Sequence, residues 1–215
     1  MKPTLSWPKS YQKLTIIKAL KYENKNTLYP IFLKLNQLDL LIVGGGNVGL
    51  EKVSFILKNS PDAKITMIAT YFLEEVKILV KDFNVKLIER SFEEKDLEGR
   101  DIVICATDNF ELHQQIVALN KERKTLTNVA DTPELCDFYL GSIVSRGDLK
   151  IAISTNGKSP TLGKRIRQYL EDALPNNTQS IINGLKSFRD TLKGDFASKV
   201  NALNEVTKKL SERQD

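Results

Sequence analysis

The stretch LIVGGGNVGLEKV, residues 41–53, decides the fold. An apolar run typical of a buried strand leads into glycines at positions 44, 46 and 49, and apolar residues at helical spacing follow. In this pattern the first glycine permits a tight turn, the second lets the backbone approach a pyrophosphate, and the third lets strand and helix pack closely. The helix N-terminus then offers unpaired N–H groups to phosphates. This context disfavours the alternative, a purely structural turn, and predicts a dinucleotide-binding turn formed by Gly44, Gly45, Gly46, Asn47, Val48 and Gly49.

Strand and helix patterns alternate on both sides of this turn. Short apolar segments predict strands at residues 29–35, 39–43, 63–69, 85–89, 100–107 and 125–130. Apolar residues at helical spacing predict helices at residues 48–59, 72–83 and 109–124. This alternation, with its short connections, predicts an α/β fold of Rossmann type, a doubly wound parallel sheet covered by helices on both faces.

The pattern changes after residue 131. Residues 137–145 and 149–155 predict two strands joined by a hairpin-like link at Gly147. Ser159 and Pro160 predict the start of a helix that stops before Pro175, and two further amphipathic helices are predicted at residues 178–193 and 196–211. A small β-hairpin segment and a C-terminal helical domain are therefore expected after the sheet. The predicted divisions are an N-terminal extension (an extra helix or a loose arm) at residues 1–28, the nucleotide-binding domain at 29–131, a central hairpin segment for dimerisation at 132–158 and the helical domain at 159–215.

Composition restricts the class of protein. With 41% apolar and 27% charged residues the chain resembles a soluble globular protein, and no run approaches the roughly 18 apolar residues of a membrane span. Cys105 and Cys136 lack metal-ligand spacing and are expected to be small buried residues, while His113, the single histidine, is expected to be a surface or packing residue, so no metal is predicted. Without a signal-peptide core, the chain is predicted to be reduced and cytoplasmic, away from membranes. The net charge of +5 suits a polyanionic ligand, whereas the aromatic platforms and dense basic stripe of nucleic-acid binders are missing.

Two further strand ends are candidate cofactor contacts. Thr107 and Asp108 stand at the carboxyl end of a predicted strand, where doubly wound folds bind ligands, although either residue could instead cap the following helix. The second strand of the sheet ends near Thr70 and Tyr71, with neither the acid that commonly holds the adenosine ribose nor an arginine for a 2′-phosphate. Thr70, Tyr71 or backbone groups must hold the ribose, and this loop leaves the choice between NAD and NADP open.

The order of motifs resembles that of one family. YPIFLKL and LLIVGGGNVGLEKV, then DIVICATDN, then TNVADTPELCDF, then SIVSRGDLKIAISTNGKSPTLGKRIR are similar to the siroheme synthase N-terminal family, over about residues 29–174. Its members are NAD-dependent precorrin-2 dehydrogenases, and some are also sirohydrochlorin ferrochelatases. The sequence departs from the family pattern at Ala130, at Gly141 (commonly proline), at Asn156 (the first glycine of a pair) and at His113 (asparagine).

The resemblance implies a mechanism centred on Asp131. Members of the family oxidise precorrin-2 to sirohydrochlorin by passing a hydride to NAD and losing a proton, and Asp131 matches their catalytic aspartate. A carboxylate can accept such a proton, and the same aspartate is implicated in members that insert ferrous iron. From the residues alone, Asp131 before Pro133 is equally consistent with an Asx-type turn.

The many carboxylates of such a substrate need cations and N–H donors. Residues 158–167 hold four basic residues and no acid, beside a predicted turn and helix start. The predicted substrate-binding residues are Arg146, Thr155, Lys158, Ser159, Lys164, Arg165 and Arg167. Thr155 also matches a serine that is phosphorylated in some relatives. A solvated basic helix face is the alternative for each basic residue.

Two further expectations concern catalysis and assembly. A sensor or carrier that binds NAD and a tetrapyrrole without catalysis is the alternative function, but such a binder of a polyanion has no use for the Asp131 carboxylate. The C-terminal helices carry wide apolar stripes, including Ile181, Ile182, Leu185 and Phe188, that need a partner surface. Relatives in the family are homodimers that interlock through this region, so a homodimer is expected.

Overall fold

The computed structural model describes residues 26–208. The chain divides after Ile31 into two compact units, and the fold described below belongs to the second. The helix or arm predicted for residues 1–28 lies almost wholly outside the described residues. No helix within residues 26–208 is long and apolar enough to cross a membrane.

Five parallel strands form the sheet predicted from the sequence. They are β1 (Leu40–Val43), β2 (Ile65–Ala69), β3 (Val85–Glu89), β4 (Ile102–Cys105) and β5 (Leu126–Val129), in the order β3-β2-β1-β4-β5. Val43, the last residue of β1, pairs with Ile68 on one side and with Cys105 on the other. Strands β1 and β4 are apolar throughout because helices cover both faces of the sheet.

Helices α1 (Asn47–Asn59), α2 (Glu74–Val80) and α3 (Phe110–Arg123) cover the two faces. Alternate residues of β1 point to opposite sides, since successive side chains of a strand do so. Ile42 packs in a cluster with Val53 of α1 and Val76 of α2, and Leu41 packs in a second cluster with Ile116 of α3. The sheet therefore has a separate apolar core on each face.

A two-stranded antiparallel hairpin and three helices follow. The hairpin consists of β6 (Ser142–Arg146) and β7 (Leu149–Ile153), turning at Gly147 with φ 60°. The helices are α4 (Pro160–Ala173), α5 (Thr178–Thr191) and α6 (Phe196–Thr207). As predicted, Ser159 caps α4, its hydroxyl accepting from Leu162 N at 3.2 Å, and Pro160 is the first helical residue.

Apart from shifts of one or two residues at strand ends, three predicted elements differ in the structure. The strand predicted at residues 29–35 is wrong: Leu35–Gln37 form a 3₁₀ turn instead, and Leu35 O accepts one bond from Lys64 N. Pro30 in this run lacks an N–H, which disfavours a strand with ladder bonds. The predicted helix at 72–83 is shortened to α2 at both ends. The predicted strand at 137–145 forms only from Ser142. Asp137 instead binds the edge strand β5, because its N–H donates to Thr127 O and its carboxylate accepts from Thr127 N.

Candidate functional site

The order of the strands reverses between β1 and β4, and this opens a crevice at their carboxyl ends. Residues 44–49 follow β1 and residues 106–109 follow β4, so both predicted cofactor segments border the same crevice. Gly44 N donates to Ile68 O at 2.9 Å, and Ala106 N donates to Val43 O at 2.8 Å. These bonds extend the sheet into both segments and hold them side by side.

The glycine turn forms a cradle that larger residues cannot line. A Cβ on Gly44, which has φ 126°, would lie 2.2 Å from Ala106 O, and a Cβ on Gly49 would lie 2.4 Å from Gly44 O. A Cβ on Gly45 would lie 2.3 Å from Tyr71 O. Only glycine permits these backbone approaches, and they bring the turn, β4 and the N-terminus of α1 together. This arrangement fits the pyrophosphate of a dinucleotide.

Gly46 differs from the other three glycines. The nearest atom to a Cβ built there is the Tyr71 hydroxyl, at 3.3 Å, and the backbone φ of −84° suits any residue. No internal packing therefore requires a glycine at this position. The space beside Gly46, next to the first N–H groups of α1, is where a ligand would approach the backbone.

Thr70 and Tyr71 lie beside this cradle, at the end of β2. Both are exposed, and Leu73 N donates to Gly45 O at 3.0 Å, which holds their loop against the glycine turn. Neither side chain carries a charge. The loop therefore offers hydroxyl and aromatic groups to the adenosine half of a dinucleotide.

Thr107 and Asp108 lie across the crevice from the glycine turn. Asn109, rather than either of these two, caps α3, since its side chain accepts from Leu112 N at 2.9 Å; the predicted capping role of Thr107 or Asp108 is wrong. Thr107 Oγ1 instead accepts from Asn109 N at 3.3 Å and lies 2.8 Å from His113 Nε2. His113 is buried, and burial lowers the pKa of its imidazole, an effect that Asp108 partly opposes. His113 is therefore a packing residue that also positions Thr107.

Asp131 lines a cavity of about 450 Å³ between the carboxyl end of β5, the hairpin and the start of α4. Its backbone is left-handed, with φ 57°, which aspartate tolerates better than most residues. Its carboxylate is exposed and makes no hydrogen bond to another residue within 26–208, so the predicted Asx-type alternative is not formed there. The carboxylate is available to a ligand in the cavity.

A tight turn at residues 155–158 forms another wall of this cavity. Lys158 N donates to Thr155 O at 3.1 Å, and Asn156 and Gly157 between them both have positive φ, the geometry of a type I′ turn. Thr155 lines the cavity, and its hydroxyl accepts from Ser159 N at 3.1 Å. Ser159 caps α4, and Lys158 is exposed next to the turn.

The predicted cationic residues lie outside the cavity. Arg146 donates to the backbone O of Glu171 at 2.7 Å, and Arg167 forms an ion pair with the Glu171 carboxylate at 2.6 Å. Lys164 and Arg165 are exposed on α4. Among the described residues that line the cavity, the cationic side chain is Lys52 of α1, which sequence reasoning missed. Asn128, Tyr139 and Ser142 also line the cavity.

Both cysteines are packing residues, as predicted. Burial raises the pKa of the Cys105 thiol to about 12, and burial also raises the pKa of Cys136. Cys136 Sγ accepts from Val129 N at 3.2 Å, which ties the 3₁₀ turn Pro133–Leu135 to β5. Within residues 26–208 no three histidine, cysteine or acidic side chains are grouped to hold a metal ion.

Comparison with known proteins agrees with this geometry. A family model described as "Putative NAD(P)-binding" matches residues 31–142, and one described as "Sirohaem biosynthesis protein central" matches residues 146–173. The siroheme synthase of Ruthia magnifica subsp. Calyptogena magnifica is 36% identical over 79% of this chain and 35% of its own length. That of Pseudoalteromonas atlantica (strain T6c / ATCC BAA-1087) is 36% identical over 79% of this chain and 36% of its own. The solved structure "SirC, precorrin-2 dehydrogenase" is 23% identical, with a TM-score of 0.65 over 86% of this chain and 93% of that one, and shows the same fold.

The first family match covers just over half of the chain and, with the glycine cradle, defines an NAD(P)-binding protein of Rossmann type. This supports NAD as the cofactor. Because the NAD(P)-binding and sirohaem-central segments follow one another in order, the chain belongs to the siroheme synthase N-terminal family. The chain spans about a third of the length of the siroheme synthases that it matches.

Proposed function

We propose that this chain oxidises precorrin-2 to sirohydrochlorin with NAD as the hydride acceptor, in siroheme biosynthesis. The observation that supports this best is the placement of Asp131. Its carboxylate, free of hydrogen bonds to other described residues, stands in a cavity at the same edge of the sheet as the glycine cradle. A dinucleotide in the crevice and a macrocycle in the cavity would therefore be neighbours.

In this reaction the substrate loses a hydride and a proton. NAD, when bound, supplies the acceptor for the hydride. The glycine turn would hold the pyrophosphate of NAD, the loop at Thr70 and Tyr71 would contact its adenosine half, and Thr107 with Asp108 would border its nicotinamide half. Asp131 accepts the proton, because a carboxylate within reach of the macrocycle can act as a general base.

The carboxylates of the substrate are assigned to the surface around the start of α4. Lys158, Lys164 and Arg165 are exposed there and can pair with carboxylates without first losing an internal ion pair. Arg146 and Arg167 are held by Glu171 and would have to leave it to bind the substrate. Thr155 and Ser159 contribute at the turn, where Thr155 faces the cavity.

The proposal includes a cytoplasmic homodimer. Helices α4, α5 and α6 expose large apolar side chains within the described chain, among them Leu162, Tyr169, Ile181, Phe188 and Phe196. Exposed apolar patches of this kind mark association surfaces. A second copy would cover them by pairing the same helices around a twofold axis.

An anaerobic assay tests the proposed reaction. Purified protein is incubated with precorrin-2 and NAD, and the absorbance spectrum is followed for conversion to sirohydrochlorin. The proposal predicts conversion that requires both protein and NAD, whereas binding of NAD and tetrapyrrole without conversion would identify a sensor or carrier. Adding ferrous iron to the product then tests for the ferrochelatase activity of some family members. If the chain has this activity, siroheme should form faster with the protein present than with iron and sirohydrochlorin without it.

A further inference from the structure

Lys52 lines the cavity, whereas the predicted basic residues of the substrate site lie outside it. It lies on α1, yet its side chain lines the cavity that contains Asp131 and is only 19% exposed. Cys136 lines the same cavity; burial raises the pKa of its thiol, and the nearby Lys52 ammonium opposes that rise. Most of the Lys52 side chain is therefore covered by the protein rather than by solvent.

The ion pair that Lys52 forms within the chain is weak. Its ammonium lies 2.8 Å from the carboxylate of the preceding residue, Glu51, whose side chain is 70% exposed. Because the acidic half of this ion pair is exposed, water screens the attraction. Within the described part of the chain, Lys52 forms no ion pair with Asp131, although both residues line the same cavity. The cavity thus presents a cation and an anion that are not used to neutralise each other.

A cation paired with the exposed Glu51 and an anion without an ion pair among the described residues together suit a ligand that carries both kinds of partner. A tetrapyrrole with acidic side chains has pyrrole N–H groups in its ring and carboxylates at its rim. A carboxylate facing the ring and an ammonium facing the rim match that arrangement. An anionic ligand without N–H groups would use Lys52 and be repelled by Asp131.

Helix α1 also links this lysine to the cofactor. The helix begins directly after Gly46, and Lys52 lies six residues further, about 9 Å along the helix axis at 1.5 Å per residue. One rigid helix therefore carries the pyrophosphate cradle at its N-terminus and the cavity cation in its second turn. A substrate carboxylate on Lys52 would have a fixed distance from the cofactor.

We infer that Lys52 binds a rim carboxylate of the tetrapyrrole substrate and so sets the position of the macrocycle relative to the cofactor. This inference rests on the proposed function of the cavity. Because the ion pair forms equally in the ground state and the transition state, its loss raises KM and leaves kcat nearly unchanged. Loss of one charge-assisted hydrogen bond predicts a rise in KM of roughly 10- to 100-fold.

The test compares Lys52→Met with Lys52→Arg and with Lys58→Met, which removes an exposed lysine from the same helix. KM and kcat for precorrin-2, the Kd of NAD and the Kd of sirohydrochlorin are measured for each, with thermal unfolding as a check of folding. The expected result is a raised KM and a raised sirohydrochlorin Kd for Lys52→Met alone. The Kd of NAD should stay unchanged, and Lys52→Arg should recover part of the affinity.

Equal KM values for Lys52→Met and Lys58→Met would overturn the inference while leaving the proposed function intact. So would a loss of NAD affinity that matches the loss of substrate affinity, since Lys52 would then act on the cofactor. If wild-type protein neither binds sirohydrochlorin nor converts precorrin-2, the proposed function fails, and the inference fails with it.

Discussion

Thr107 Oγ1 lies 2.8 Å from His113 Nε2, joining the segment after β4 to the first turn of α3. The imidazole is buried, whereas the hydroxyl borders the crevice expected to hold the cofactor. An unprotonated imidazole nitrogen can accept a hydrogen bond from this hydroxyl, but a protonated ring can only donate one. The orientation of the Thr107 hydroxyl therefore depends on the charge of the buried His113.

This pair predicts a pH dependence of stability. Burial lowers the pKa of folded His113 below that of the unfolded chain, so between the two values the unfolded state binds more protons. Stability from this group is full above the unfolded pKa of about 6.5 and is lost as pH falls toward the folded value. Its contribution to the slope is at most about 1.4 kcal/mol per pH unit. Urea unfolding of wild type and His113→Asn at several pH values checks this, and equal slopes for both would contradict it.

Substitutions at two glycines of the turn, Gly46 and Gly49, are expected to have different effects. Gly49→Ala places a methyl group 2.4 Å from the backbone of Gly44 and should destabilise the fold by about 1–3 kcal/mol. The methyl group added by Gly46→Ala contacts only the Tyr71 hydroxyl, so the free energy of unfolding should change by less than about 1 kcal/mol. Its methyl group instead occupies the side open to the ligand and should weaken NAD binding by at least about 10-fold, the equivalent of one lost hydrogen bond.

Denaturant unfolding and NAD titration separate the two effects. Gly184→Ala is the control, because a methyl group at this position of α5 meets no atom of the same chain within 4 Å and should stabilise the helix by about 0.5–1 kcal/mol; its stability is measured together with its oligomeric state, since Gly184 lies near the proposed dimer face. If Gly46→Ala binds NAD as tightly as wild type, the cofactor does not approach this glycine.

The apolar stripe of α5 predicts the assembly state. Ile181, Leu185 and Phe188 are spaced to share one face of the helix, and Ile181 and Phe188 are exposed. Replacing Ile181 and Phe188 together by lysine should raise the dimer dissociation constant by at least about 10-fold, because two ammonium groups would enter an apolar contact. Sedimentation velocity measures this, with Ser187→Lys on the same helix as the control. A wild-type monomer at micromolar concentration would exclude the homodimer.

Local patterns in the sequence account for most of the fold. The five strands and α1 could be predicted because continuous apolar runs and the glycine spacing each act within a few residues. The cap of α3 could not, since Thr107, Asp108 and Asn109 are all suitable cap residues and only the backbone path selects Asn109. The ion pair between Arg167 and Glu171 was readable in principle, because these residues are four apart on one helix.

Less of the site than of the fold could be predicted from the sequence. Asp131 was predicted from the family resemblance, whereas the residues alone were equally consistent with an Asx-type turn; it lines a cavity, and no Asx-type bond is formed within the described residues. Lys52 could not be predicted, because it reaches the cavity only when α1 packs beside segments that follow about eighty residues later. Basic residues clustered in sequence near α4 were the stronger local signal, yet two of the five, Arg146 and Arg167, are held by Glu171.

Hydride transfer in an Asp131→Asn variant tests the central claim most directly. Asparagine keeps the size of the side chain and tolerates the left-handed backbone at φ 57°, whereas alanine would add about 1 kcal/mol of strain. NADH formation is measured anaerobically in a single turnover with precorrin-2, after NAD affinity and thermal stability are shown to match wild type. If Asp131 accepts the substrate proton, the rate should fall by about 100-fold or more. A rate equal to that of wild type would show that Asp131 takes no part in the reaction.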